Sequence, residues 1–147
     1  MTRGHRFVLG LALAWVALSG CGGPATAPGT VRATGLVTFG GKPVAGANVI
    51  FYPAAGADAA LASQAVTDNE GRFQLSTHVG GGKFQRGIEP GQYIVAVTKL
   101  DTAGITNTLA PPKSLLPRKY DSPKTSKLTA DVTTKGENNF EFQLNSE

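Results

Sequence analysis

Two kinds of hydrophobic patterning divide this chain. Phe7 to Leu18, FVLGLALAWVAL, is one unbroken uncharged run behind Arg3 and Arg6. From Val31 onward apolar and polar residues instead alternate with the two-residue period of half-buried strands. In VRATGLVTF (31–39), Val31, Ala33, Val37 and Phe39 fall on one face, and Arg32, Thr34 and Thr38 on the other. ANVIFYP (47–53) aligns Ala47, Val49 and Phe51, and Pro53 ends the run. ASQAVT (62–67) reads as a third strand and RFQLS (72–76) as a fourth, with Phe73 and Leu75 inward. YIVAVT (93–98) carries Tyr93, Val95 and Val97 on one side, KLTADVT (127–133) Leu128, Ala130 and Val132, and NFEFQL (139–144) Phe140, Phe142 and Leu144. The segments between, GGKPVAG, DNEG, EPGQ and KGEN, are turn-forming.

Seven strands joined largely by short turns, none followed by a helix-period segment, predict an all-β fold rather than parallel βαβ units. The economical arrangement is a seven-stranded antiparallel Greek-key β-sandwich over residues 31–147. The 19 glycines and 9 prolines agree with many short strands and turns.

The first apolar run is too short for a mature transmembrane helix, which needs ~20 residues. It suits the core of a signal peptide over residues 1–20. Leu18-Ser19-Gly20-Cys21 follows, holding the only cysteine in the chain. This tetrad resembles the bacterial lipoprotein box. The resemblance implies a diacylglyceryl group on the Cys21 thiol, cleavage just before Cys21, and frequent acylation of the new amine. The resemblance makes Cys21 the expected lipidation site; one acyl chain holds a protein only marginally, whereas two or three hold it durably. Residues 21–30, with GGPATAPG at 22–29, read as a tether that lifts the domain off the lipid. Gly22 stands where inner-membrane lipoproteins commonly carry aspartate, which favours the outer membrane. Either way the expected location is lipid-anchored, at the cell or outer membrane, facing the periplasm or surface.

Cleavage leaves 127 of the 147 residues, one domain's worth of chain. The loss of Arg3 and Arg6 takes the formal charge from +4 to +2, so the pI near 9.4 overstates the mature basicity. With no dense basic stripe, nucleic acid is not an expected partner.

Three phrases carry a second resemblance: GLVTFGGKPVAGANVIFYP (35–53), AVTDNEGRFQL (65–75) and IEPGQYIVAVTK (88–99). They are similar to the carboxypeptidase regulatory-like, or transthyretin-like (prealbumin-like), β-sandwich. Gly41, Pro43, Val44 and Gly46 match its first turn, Thr67, Asp68, Gly71 and Phe73 its second phrase, and Pro90, Gly91, Tyr93 and Val95 its third. The segment LLPRKYDSPKTSKLTADV (115–132) resembles the closing part of small planctomycete-type exported lipoproteins with this domain. These residues build turns and core, so the resemblance speaks to fold; function is argued from a site.

Enzyme chemistry has little to stand on. The transthyretin-like hydroxyisourate hydrolases use several histidines and a C-terminal Tyr-Arg-Gly-Ser, whereas this chain ends FQLNSE and keeps one mature histidine, His78. Asp68 and Glu70 are too few for a calcium loop, so no metal or other cofactor is expected. The long connection Leu100–Lys127 carries Arg118, Lys119, Lys124 and Lys127 around Tyr120. These four are the candidate patch for an anionic glycan or lipid headgroup. The expected role is non-catalytic, binding or structural, with the membrane and an envelope protein or polysaccharide as partners.

Overall fold

A computed structural model describes residues 29–54, 62–79, 81–101 and 112–146. The expected signal peptide, Cys21 and the expected linker through residue 28 lie outside the described residues. The fold is all-β. Strands β1 (Ala33–Phe39), β2 (Lys42–Pro43), β3 (Asn48–Pro53), β4 (Ser63–Val66), β5 (Arg72–Gln74), β6 (Ser76–His78), β7 (Phe84–Arg86), β8 (Gly91–Thr98), β9 (Leu128–Val132) and β10 (Asn138–Leu144) are joined by turns and one 3-10 turn at Arg118–Tyr120. Among the described residues no helix is long and apolar enough to cross a membrane.

Two sheets result. In the first, β1 lies between β10 on one side and β2 with β5 on the other; the second runs β7-β6-β4-β3-β8-β9. Their inward side chains meet in one core. Ala33 and Val37 of β1 and Phe142 and Leu144 of β10 pack against Val49 and Phe51 of β3 and Tyr93, Val95 and Val97 of β8. Phe51 is the hub, with ring centroids 6.3 Å from Phe73, 5.9 Å from Tyr93, 5.6 Å from Phe140 and 6.0 Å from Phe142. These tilted and edge-on contacts suit the ring quadrupole better than face-to-face stacking.

The expected seven antiparallel strands differ from this in three ways. The first concerns β10, which pairs parallel to β1, from Ala33 opposite Asn138 to Phe39 opposite Leu144. Alternation fixes which face is buried and says nothing about strand direction. Here nearly the whole domain lies between the two strands, so no crossover helix is required. The second is the single strand read at 72–76. It is one extended segment that changes sheets: Gln74 pairs with Thr34 of β1, and Ser76 with Gln64 of β4. Such a corner lets Phe73 and Leu75 both reach the core from one run. The third is β7, whose three residues are all exposed; an edge strand without a buried face leaves no alternation to read. The two-residue β2 lies within the turn-forming GGKPVAG.

Two of the recurrent phrases interlock. The buried Thr67 hydroxyl donates to the Val44 carbonyl (2.6 Å) and accepts from the Ala47 amide (2.8 Å). Asp68 accepts from the amides of Glu70 (3.0 Å) and Arg72 (2.7 Å), which shapes the turn into β5. Gly71 takes φ +74°, and a Cβ there would stand 2.6 Å from the Val37 carbonyl oxygen. Tyr93, near the start of β8, donates to the Glu89 carbonyl (2.7 Å). That is the tyrosine device of two-sheet β folds.

Candidate functional site

The four cations expected to form a patch sit at one end of the domain. Pairing of Phe39 with Leu144 puts Asn145 just beyond the C-terminal end of β1. There the Tyr120 hydroxyl accepts from the Asn145 amide and lies 3.2 Å from its Oδ1. Tyr120 and Leu116 are buried while Leu115 is exposed, so the first two pin this part of the segment. Lys119 donates to Asn145 Oδ1 (2.9 Å) and lies 5.0 Å from the Tyr120 ring centroid. One of the four cations is thus engaged in holding the chain, while Arg118, Lys124 and Lys127 point into solvent. The arrangement is a pinned crossing.

A different basic site is built at the other end of β1. Alternation turns Arg32 outward beside inward Ala33 and Arg72 outward beside inward Phe73. Antiparallel pairing of β1 with β5 then places these outward rows side by side, Thr34 opposite Gln74 and Leu36 opposite Arg72. Arg86 arrives from β7, opposite Ser76. The three arginines line a depression of about 570 Å³. It adjoins a second of about 340 Å³ that shares Arg32, Thr34, Arg72 and Asn139. Thr34 donates to Asn139 Oδ1 (3.3 Å) across the first sheet.

Asp68 is the carboxylate in the first lining, its Oδ1 held by two backbone amides, and Glu137 lines the second. Among the described residues none of the three guanidinium groups is held in an ion pair or hydrogen bond. Each therefore presents its planar fork of donors to solvent. That geometry matches carboxylate, sulfate and phosphate oxygens two at a time.

These arginines stand forty and fourteen residues apart in sequence, so no local run announced them. The available signal was an arginine directly before an inward apolar residue in two strands that pair. His78 is exposed and meets Phe84 edge-on at 5.2 Å. Among the described residues no group of three or more His, Cys, Asp or Glu could hold a metal ion. No known protein family, curated protein or solved structure matches this chain.

Proposed function

We propose that this chain is a lipid-anchored cell-envelope module with a carboxypeptidase regulatory-like β-sandwich and a non-catalytic binding role, and that Arg32, Arg72 and Arg86 take up the anionic groups of its ligand. The observation that carries the binding role is the meeting of three unpaired guanidinium groups on one open depression. The anchor rests on Cys21 behind its charged start and apolar run. The resemblance of the three turn phrases supports the domain assignment, and the interlock of Thr67 with Val44 and Ala47 gives those phrases a structural purpose.

Binding here is charge-assisted hydrogen bonding at a solvent-open site, so affinity falls as salt rises. The test is calorimetric titration of the mature lipidated protein in detergent with polygalacturonate as a soluble polyanion. Measurable heat that disappears in Arg72→Gln, with an unchanged thermal unfolding midpoint, supports the reading. Equal binding by Arg72→Gln and the parent protein sinks it. Mass spectrometry tests the anchor: the mature N-terminal residue should be Cys21 carrying acyl mass, and Cys21→Ser should leave the membrane fraction.

A further inference from the structure

We propose that the β6–β7 end of the domain docks on the anionic lipid surface that holds its own anchor, with Phe84 and Val79 in the interfacial layer and Arg32, Lys83 and Arg86 against headgroup phosphates. This rests on the tethered, anion-binding reading above and names the source of the anion.

The first observation is where the tether meets the fold. Nine peptide steps separate Cys21 from Thr30, and even fully extended they span only about 30 Å. Thr30 packs on Gly87, where a Cβ would stand 2.5 Å from its hydroxyl oxygen. Val31 and Ile88 then exchange both backbone hydrogen bonds, 2.9 and 3.0 Å. The chain thus enters the domain directly beside the last residue of β7, and whatever lies at that end is kept near the bilayer.

The second observation is what lies there. The three-pair β6–β7 hairpin is the outer edge of its sheet, and its far end carries Phe84 at 54% exposure and Val79 at 46%. An aromatic ring and a branched aliphatic on an open edge hairpin are costly in water and suited to a headgroup–acyl boundary. Among the described residues of the hairpin and the adjoining depressions, Arg32, Arg72, Lys83 and Arg86 outnumber the carboxylates of Asp68, Glu89 and Glu137. A net positive end adjoining an exposed apolar tip is complementary to anionic lipid.

Exposed apolar side chains also occur at the opposite end. Leu115 is 45% exposed, on the far side of the domain from Thr30, and supplies an internal control. The chain from Cys21 onward contains no tryptophan, because Trp15 lies in the leader. Phe84→Trp and Leu115→Trp therefore each give a single-tryptophan mature protein.

The experiment reconstitutes the lipidated variants into phosphatidylcholine vesicles with or without phosphatidylglycerol and measures quenching by brominated acyl chains. The expected result is several-fold stronger quenching and a blue-shifted emission for Phe84→Trp relative to Leu115→Trp. The difference should grow with phosphatidylglycerol and shrink when Arg32→Gln and Arg86→Gln are added. Vesicle-bound protein in which both indoles stay equally unquenched overturns the docking while leaving the anchor intact. A blue shift that depends on protein concentration without lipid means a second copy covers the hairpin, and overturns it too. Failure of the protein to float with vesicles removes the tether and this proposal together.

Discussion

Two basic regions lie at opposite ends of β1, and they are made in different ways. The lysine-bearing segment at the Phe39 end draws its cations from ten consecutive positions, Arg118 to Lys127. Tyr120 is buried and hydrogen-bonded to Asn145, and Lys119 is committed to that junction. At the Ala33 end, Arg32 directly precedes β1 while Arg72 and Arg86 come from β5 and β7, and the three are gathered only by pairing and by the sheet-changing corner at Leu75. The first region is charge carried on a fastening. The second is charge presented over a concavity, with its donors unused. A local density of lysines records where a chain crosses solvent; convergence of cations from separated strands is what makes a binding geometry.

The largest effect that separates the two ends should come from Gly35. It lines the arginine depression and sits between Phe140 and Phe73 on the neighbouring strands. A Cβ there would come 2.3 Å from the Phe140 carbonyl oxygen and 2.5 Å from the Phe73 ring. Overpacking against backbone cannot relax by a rotamer change, so Gly35→Ala should cost about 3 kcal/mol in urea unfolding. Lys124→Ala at the other end should cost under ~0.5 kcal/mol. Equal costs would mean that the arginine end is no more tightly built than the lysine crossing.

Replacing charge without touching the core sharpens the contrast in binding. Arg32→Gln, Arg72→Gln and Arg86→Gln together should reduce retention on immobilised polygalacturonate at least about tenfold, since charge-assisted hydrogen bonds are worth ~1.5–3 kcal/mol each. Lys119→Gln, Lys124→Gln and Lys127→Gln remove the same formal charge and should change retention less than about twofold, consistent with screened, dispersed cations. The reverse ranking would return the site to the lysine segment.

The sequence showed the fold's faces far better than its connections. The inward rows read from alternation, Ala47-Val49-Phe51 and Tyr93-Val95-Val97 among them, lie in the core, with Val31, Phe39, Leu128 and Phe140 partly buried against it, because a strand's period survives any choice of neighbours. Strand direction, the corner at Leu75 and the exposed β7 depend on long-range pairing that alternation does not encode. The arginine depression was illegible for the same reason: its residues become neighbours only once β1, β5 and β7 are placed. The tyrosine device is made by Tyr93, while Tyr120 fastens the far end of β10.

Those two tyrosines provide the third test. Burial, and secondarily the charge of Glu89, raise the Tyr93 hydroxyl above the usual tyrosine value of 10.0. A raised value means that the folded chain holds this proton more tightly than the unfolded chain. The contribution is complete below pH ~10 and drains away as pH climbs through the folded value. Tyr93→Phe loses the bond to the Glu89 carbonyl and should cost about 1 kcal/mol at pH 7. Its deficit against the parent protein should narrow above pH 10, because the variant has no proton to lose there. A deficit that stays constant to pH 11 in urea titrations would show that this hydroxyl does not feel its burial.

A smaller effect again belongs to Lys119, and it asks whether the distal end is a fastening at all. Its ammonium has two partners, Asn145 Oδ1 at 2.9 Å and the Tyr120 ring at 5.0 Å. A cation over an aromatic face at a partly exposed position is worth about 0.5–1 kcal/mol, and some of that is recovered when water solvates what remains. Lys119→Gln keeps a donor for Asn145 and removes the charge over the ring, so a loss of about 0.5 kcal/mol is expected. Hydrogen exchange should localise it: the Asn145 amide, which donates to the Tyr120 hydroxyl, should exchange faster, while the Val31 and Ile88 amides at the opposite end keep their protection. If all three amides accelerate together, the loss is global, and the two ends of β1 are one cooperative unit rather than a fastening and a binding face.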